Sequence, residues 1–159
     1  MDQATRVEPV RKTVTVDCSV EHAFRTFTKR IGEWWPLEIH SVGAEILGAR
    51  PISVSFEGAG GGRLVERMED GREAPWADVL AWEAPHRLVL AWNPNPKRTI
   101  PTEVEITFTQ AGAGRTRVDL EHRGWERLGP EGLELRDGYS DWERVLGRFA
   151  DLARQGNRP

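Results

Sequence analysis

The residues from Arg115 to Gly124 alternate so that Val118, Leu120 and His122 fall on one side of a strand, with Arg117, Asp119, Glu121 and Arg123 on the other. A titratable ring at the end of an apolar wall could orient or deprotonate a ligand; it could equally be a structural histidine satisfied by a backbone carbonyl or a carboxylate. Two acids show a similar placement. Glu66 lies between Leu64 and Met68, and Asp78 between Trp76 and Leu80, so each is expected to face inward among apolar neighbours. A buried carboxylate is costly unless it takes a proton or finds a partner. With His122 nearby, Glu66 and Asp78 would form either a polar cluster that reads a ligand's hydroxyl or carbonyl, or a structural ion-pair cluster with arginine.

The chain carries seven tryptophans. Adjacent Trp34 and Trp35 cannot share one face, and Gly32 and Pro36 bracket them in an irregular segment, so both are expected, with Trp76, at a cavity or its mouth. Trp82 and Trp92 read as core. Trp142, Leu146 and Phe149 share one helical stripe and would serve as core and as cavity wall. His40, just after this segment, could gate the mouth.

Several chemistries lack their residues. There is no Gly-x-Ser-x-Gly elbow, and the lone Cys18 has no evident base in sequence reach, so it reads as a small apolar filler. The histidines at 22, 40, 86 and 122 show neither metal-ligand spacing nor cysteine company. The glycine-rich Gly58 to Gly62 is a flexible turn, because no helix follows to present its N-terminus to a phosphate. No catalytic residue, cofactor or metal is expected.

The elements that position the candidate residues follow from periodicity. Residues 1–9 are a patternless lead-in, and Val10 to Asp17 alternates as a half-buried strand. Ser19 is an N-cap candidate for a short amphipathic helix, ending near Arg30, with Val20, Ala23, Phe24 and Phe27 on one face. Ala44 to Leu47 and Ile52 to Phe56 are expected to form an edge hairpin. Gly61 to Trp92 reads as three strands separated by Asp70-Gly71 and Ala84-Pro85, an antiparallel meander. Pro101 to Gln110 places Val104, Ile106 and Phe108 opposite Glu103, Glu105 and Thr107, giving the sheet one dry and one wet face. From Asp137 the spacing turns helical: Trp142, Val145, Leu146, Phe149, Leu152 and Ala153 form a stripe that must cover the dry face, and Ser140 with Glu143 suits a capping box.

A chain of 159 residues fits a single domain, here 10–155, with a tail over 156–159. The net charge of −3, with both signs interspersed, argues against nucleic acid as a partner. No apolar run reaches signal-peptide or membrane-span length, so no membrane association is expected and the location should be cytoplasmic.

The order strand, short helix, six or so antiparallel strands and long C-terminal helix resembles the helix-grip fold of the START-like (SRPBCC) superfamily. More specific are Gly62-Arg63 with Glu66-Arg67, Asp70-Gly71, Trp76, Val79 to Trp92, Glu103-Val104-Glu105 and Leu120 to Gly129. Together these residues resemble the family of homologues of the C-terminal domain of the activator of the 90-kDa heat-shock chaperone's ATPase, over roughly Val10 to Ala153. The resemblance implies an α+β fold in which a curved sheet of six to seven strands wraps around the C-terminal helix, with a cavity between them. Superfamily members include lipid carriers, hormone receptors, polyketide cyclases and chaperone regulators.

The function expected first is non-catalytic binding of a hydrophobic or amphipathic small molecule in that cavity, by a monomer or weak homodimer. Burial of apolar ligand surface would drive affinity, and His122, Glu66 or Asp78 would supply selectivity. Two alternatives stand beside it. One is a module that regulates a chaperone through its outer face, although the outward charges alternate in sign rather than forming one field. The other is a cyclase or hydrolase-type enzyme using His122 with an inward acid.

Overall fold

The computed structural model describes residues 7–41, 43–57, 62–93, 100–139 and 141–155. Strand β1 (Val10–Val16) leads through Ser19, whose hydroxyl caps the His22 amide at 3.1 Å, into α1 (Val20–Thr28) and the single turn α2 (Ile31–Trp34). Strands β2 (Pro51–Glu57), β3 (Arg63–Met68), β4 (Glu73–Glu83), β5 (Arg87–Trp92), β6 (Thr102–Gln110) and β7 (Thr116–Arg123) follow, then α3 (Glu131–Gly138) and α4 (Trp142–Gln155). All strand pairs are antiparallel, in the order β1-β7-β6-β5-β4-β3-β2. β1 closes onto β7 at one edge and β2 ends the other, so the meander reads out as a curled seven-stranded half-barrel.

Two faces separate as alternation requires. Val118, Leu120 and His122 on β7 stand beside Phe108, Ile106 and Val104 on β6, all at most 1% exposed. α4 lays Trp142, Val145, Leu146, Phe149 and Ala153 of the expected stripe over this concave face, with Ala150 buried beside them and Leu152 only partly buried. On the convex face Arg123 bridges Glu103, Glu105 and Glu121 at 3.0, 2.7 and 3.2 Å, and Arg87 meets Glu105 at 2.6 Å. These cross-strand pairs neutralise one another, so the outer face carries no single-sign field.

Two expectations need correction and two fall outside the described residues. Ala44 to Leu47 is not a strand: Gly43–Leu47 form a π-helical turn, and β2 pairs with β3 instead. The turn is imposed from outside the segment, because the Gly43 and Ala44 amides are taken by side chains of Glu66 and Ser41 rather than by a neighbouring strand. Ser140 of the expected capping box, and most of the Gly58 to Gly62 turn, lie outside the described residues.

Asp78 is the second correction. Leu64 pairs with Ala77 while Val65 pairs with Pro75, so β4 holds one extra residue at Trp76. Trp76 and Ala77 both turn inward, 2% and 6% exposed, and the parity of everything after them flips. Asp78 therefore sits exposed on the convex side, opposite Arg63 of β3. A second irregularity, between Val79 and Ala81, leaves Leu80 outward at 55% exposure and returns Trp82 to the core side. Replacing Asp78 with Ala should change the unfolding free energy by less than about 0.5 kcal/mol. A urea-denaturation loss above about 2 kcal/mol would place the carboxylate inside after all.

Cys18 behaves as the sequence implies. It is fully buried, and burial, aided by Asp17, pushes its thiol up to about 11, which leaves it an unreactive filler.

Candidate functional site

Between the concave face and α4 lies an aromatic cluster with polar groups at two of its borders. β3 supplies the first. Glu66 is completely buried, and its carboxylate accepts hydrogen bonds from the Gly43 amide at 3.0 Å, the Trp76 indole N–H at 3.1 Å and the Ser41 hydroxyl. Ser41 Oγ in turn accepts from the Ala44 amide at 3.0 Å. The expected inward acid is present, but its partners are neutral donors rather than arginine. It staples the segment that follows α2 to the sheet and has no oxygen left for a ligand.

β7 and β6 supply the second. His122 is completely buried; its Nδ1 accepts from the Trp142 indole N–H at 3.1 Å, so Nε2 carries the proton and donates to Thr102 Oγ1 at 2.7 Å. Thr102 passes its own proton toward the Trp92 carbonyl, 3.3 Å away. Burial pushes the His122 pKa down to about 3, so the ring is neutral at physiological pH. The inward histidine read from the alternation is there, but both nitrogens are committed, one of them to the helix that grips the sheet. Selectivity by His122 hydrogen bonding to a ligand is not available in this arrangement.

The space between these groups is filled mainly by rings. Trp35 lies 4.9 Å from Trp76, 5.9 Å from Trp34 and from Trp142, and 6.2 Å from Trp92, centroid to centroid. Trp92 meets Trp142 at 5.5 Å and gives its indole N–H to the Tyr139 hydroxyl at 3.0 Å. Among the described residues a cavity of about 10 Å³ stays open, room for about one water, lined by Phe27, Ile31, Trp35, Phe56, Leu64, Leu90, Trp92, Val104, Ile106 and Trp142. Its wall has no polar side chain other than the indoles.

Of the expected site residues, Trp35 and Trp142 line this cavity, and Trp76 packs against Trp35 with its ring tilted by 55°. Trp34, Leu146 and Phe149 are core: each is at most 2% exposed, and the Trp34 N–H is spent on the Thr26 carbonyl at 2.9 Å. Trp92, read as core, is a wall residue as well. Thr102 and Ser41 were not anticipated. Thr102 shares the parity of Val104 and so was legible as inward; Ser41 has no local signal, since its partner lies 25 residues away.

The cavity mouth is crossed by the segment after α2. Trp34 and Ser41, 2% and 5% exposed, anchor its ends. Between them Trp35 donates to the His40 carbonyl at 2.9 Å, His40 Nε2 lies 2.6 Å from Asp141 at the start of α4, and Glu38 pairs with Arg148 of the same helix. The gating position expected of His40 is therefore a contact with the C-terminal helix. Among the described residues no group of acids, histidines and cysteine is arranged to hold a metal, and no helix is long and apolar enough to cross a membrane.

A curled antiparallel sheet gripping a C-terminal helix over an aromatic-walled space defines a START-like protein of the SRPBCC superfamily. Residues 17–154 match the family described as Activator of Hsp90 ATPase homolog 1-like protein, and the chain belongs to that family. Among solved structures it is similar to the anthrahydroquino-γ-pyrone synthase Txn09 complexed with SUM, at 32% identity and a TM-score of 0.56, over 92% of this chain and 97% of that one. It is also similar to the self-sacrificing resistance protein CalC of Micromonospora echinospora, at 28% identity and a TM-score of 0.67, over 94% and 96%. The Aha1 dimer of Colwellia psychrerythraea shares the fold at 15% identity and a TM-score of 0.63, over 96% and 100%. No curated protein matches the chain in sequence.

Proposed function

We propose that this protein binds a hydrophobic or amphipathic small molecule between the sheet and α4, without carrying out chemistry on it. The observation that carries the reading is the aromatic-walled cavity beneath a segment tied to α4 largely by surface contacts. Burying flat apolar surface against indole faces supplies about 25 cal/mol per Å², with ring-to-ring contacts adding to it. Similarity to Txn09, whose name assigns it a fused-ring product, supports an aromatic ligand over a fatty acyl chain. The absence of chemistry rests on the commitments of the inward polar groups. His122 has no free nitrogen, Glu66 no free oxygen, and Asp78 is outside, so none of the three is placed to move a proton on a ligand in the cavity.

A tryptophan-fluorescence and thermal-shift screen against fatty acids, sterols, polyketides and flavonoid-like aromatics tests this. Aromatics are expected to quench fluorescence saturably and, at a hundred times their Kd, to raise Tm by about 5–10 °C. A flat response across every class would overturn the reading and leave a protein-interaction module with a self-filled core. Stimulation of a chaperone's ATPase turnover would then be the measurement that the family's description calls for.

A further inference from the structure

We infer that the ligand takes the place of the Trp35 indole, which makes it a neutral, planar aromatic of about two fused rings, admitted when the segment 35–40 lifts from the C-terminal helix. This rests on the binding reading above. The open volume of about 10 Å³ cannot hold any such molecule, so something must leave before a ligand enters. The other tryptophans around the cavity are locked. Trp76 bonds to Glu66, Trp142 to His122 and Trp92 to Tyr139, and each is at most 5% exposed.

Trp35 differs on each point. It is partly exposed, it lies on an extended link at the end of α2 (φ −65°, ψ 129°), and its indole N–H bonds to His40 of its own segment. The segment holds itself together, with the amides of Leu37, Ile39 and His40 bonded to carbonyls of Trp35 and Pro36, so it can move as a unit between the anchors at Trp34 and Ser41. Besides the Trp35 ring against Trp142, its polar ties to the C-terminal helix among the described residues are His40 to Asp141 and Glu38 to Arg148, all four side chains a third or more exposed, and such pairs are weak. Pro36, the Trp35 ring and Leu37, which packs against the core, are the apolar surface that moves with it.

The vacated slot dictates its occupant. Trp76, Trp92 and Trp142 face it with rings, while Leu64, Leu90 and Ile106 close the floor, so charge is excluded and flatness rewarded.

The test compares wild type with Trp35→Ala and, in case the smaller side chain fails to fold, Trp35→Phe, using 2-naphthol and indole as probes and octanoate as the aliphatic control. Because the plug competes with the ligand for one slot, its removal should tighten 2-naphthol binding by about tenfold or more. Indole should raise the Tm of Trp35→Ala toward that of wild type, with octanoate inert. In wild type saturated with 2-naphthol, the Trp35 indole N–H resonance should shift as its ring leaves Trp76, Trp92 and Trp142, and Arg148→Ala should speed association up to about fivefold. Wild-type binding with unchanged or weaker affinity in both Trp35 variants would overturn the inference and leave the binding reading intact. If neither wild type nor the variants bind, both fall.

Discussion

Glu66→Ala is expected to lower the unfolding free energy by about 3–5 kcal/mol, while Glu66→Gln costs about 1 kcal/mol or less. Alanine leaves the Gly43 amide and the Trp76 indole N–H buried with no acceptor, at about 1–3 kcal/mol each, and adds a void where the side chain stood. Ser41 suffers less, because its hydroxyl can rotate and its oxygen keeps the Ala44 amide. Glutamine fits for a specific reason. Its carbonyl replaces Oε1, which takes both the Gly43 and Trp76 donors, and its amide donates to Ser41 Oγ, which accepts as readily as it donates. Urea denaturation of both variants, with hydrogen exchange at Gly43 and Ala44, separates acceptor geometry from charge. Equal losses in the two would mean that the negative charge itself is used, and a stable Glu66→Ala would mean that water replaces the carboxylate.

The fate of Glu66 shows where sequence reading succeeds. Alternation fixed its side of the strand, and the same rule placed His122 inward and Arg117 to Arg123 outward, because β3 and β7 run without an inserted residue over those stretches. It failed at Asp78 because one extra residue in β4 reverses the parity of the residues just beyond it, as far as the second irregularity, and a bulge is a property of the pairing partner. Ser19 and the α4 stripe were legible since cap and face are local. The donors around Glu66, the π-helical turn and the filling of the cavity by Trp35 were not, because each is decided by contacts ten or more residues apart. Sequence also placed a histidine correctly while leaving open whether it was free to act; only the bonds to Trp142 and Thr102 decide that.

Those bonds lead to the second large effect, a loss of stability in acid traceable to one residue. Burial depresses the folded pKa of His122 to about 3 from an ordinary 6.5. Above pH 6.5 the ring is neutral in both states and contributes nothing to pH dependence. Below it the unfolded chain binds a proton that the native ring refuses, so stability falls by about 1.4 kcal/mol per pH unit until the pH reaches the folded value. Between pH 7 and pH 5 the loss from this residue is about 2 kcal/mol, and by pH 4 it exceeds about 3 kcal/mol. His122→Gln isolates the effect: its amide can still donate to Thr102 but cannot titrate, so the variant starts less stable at neutral pH by about 1–3 kcal/mol and loses stability less steeply in acid. All other side chains are common to both proteins, so their contributions cancel in the difference. Denaturant midpoints measured from pH 7.5 to pH 4 should therefore converge or cross. Parallel curves would mean that His122 accepts a proton in the folded state, and the bond it takes from Trp142, which ties α4 to the sheet beside the cavity, would then be open to acid and to a ligand.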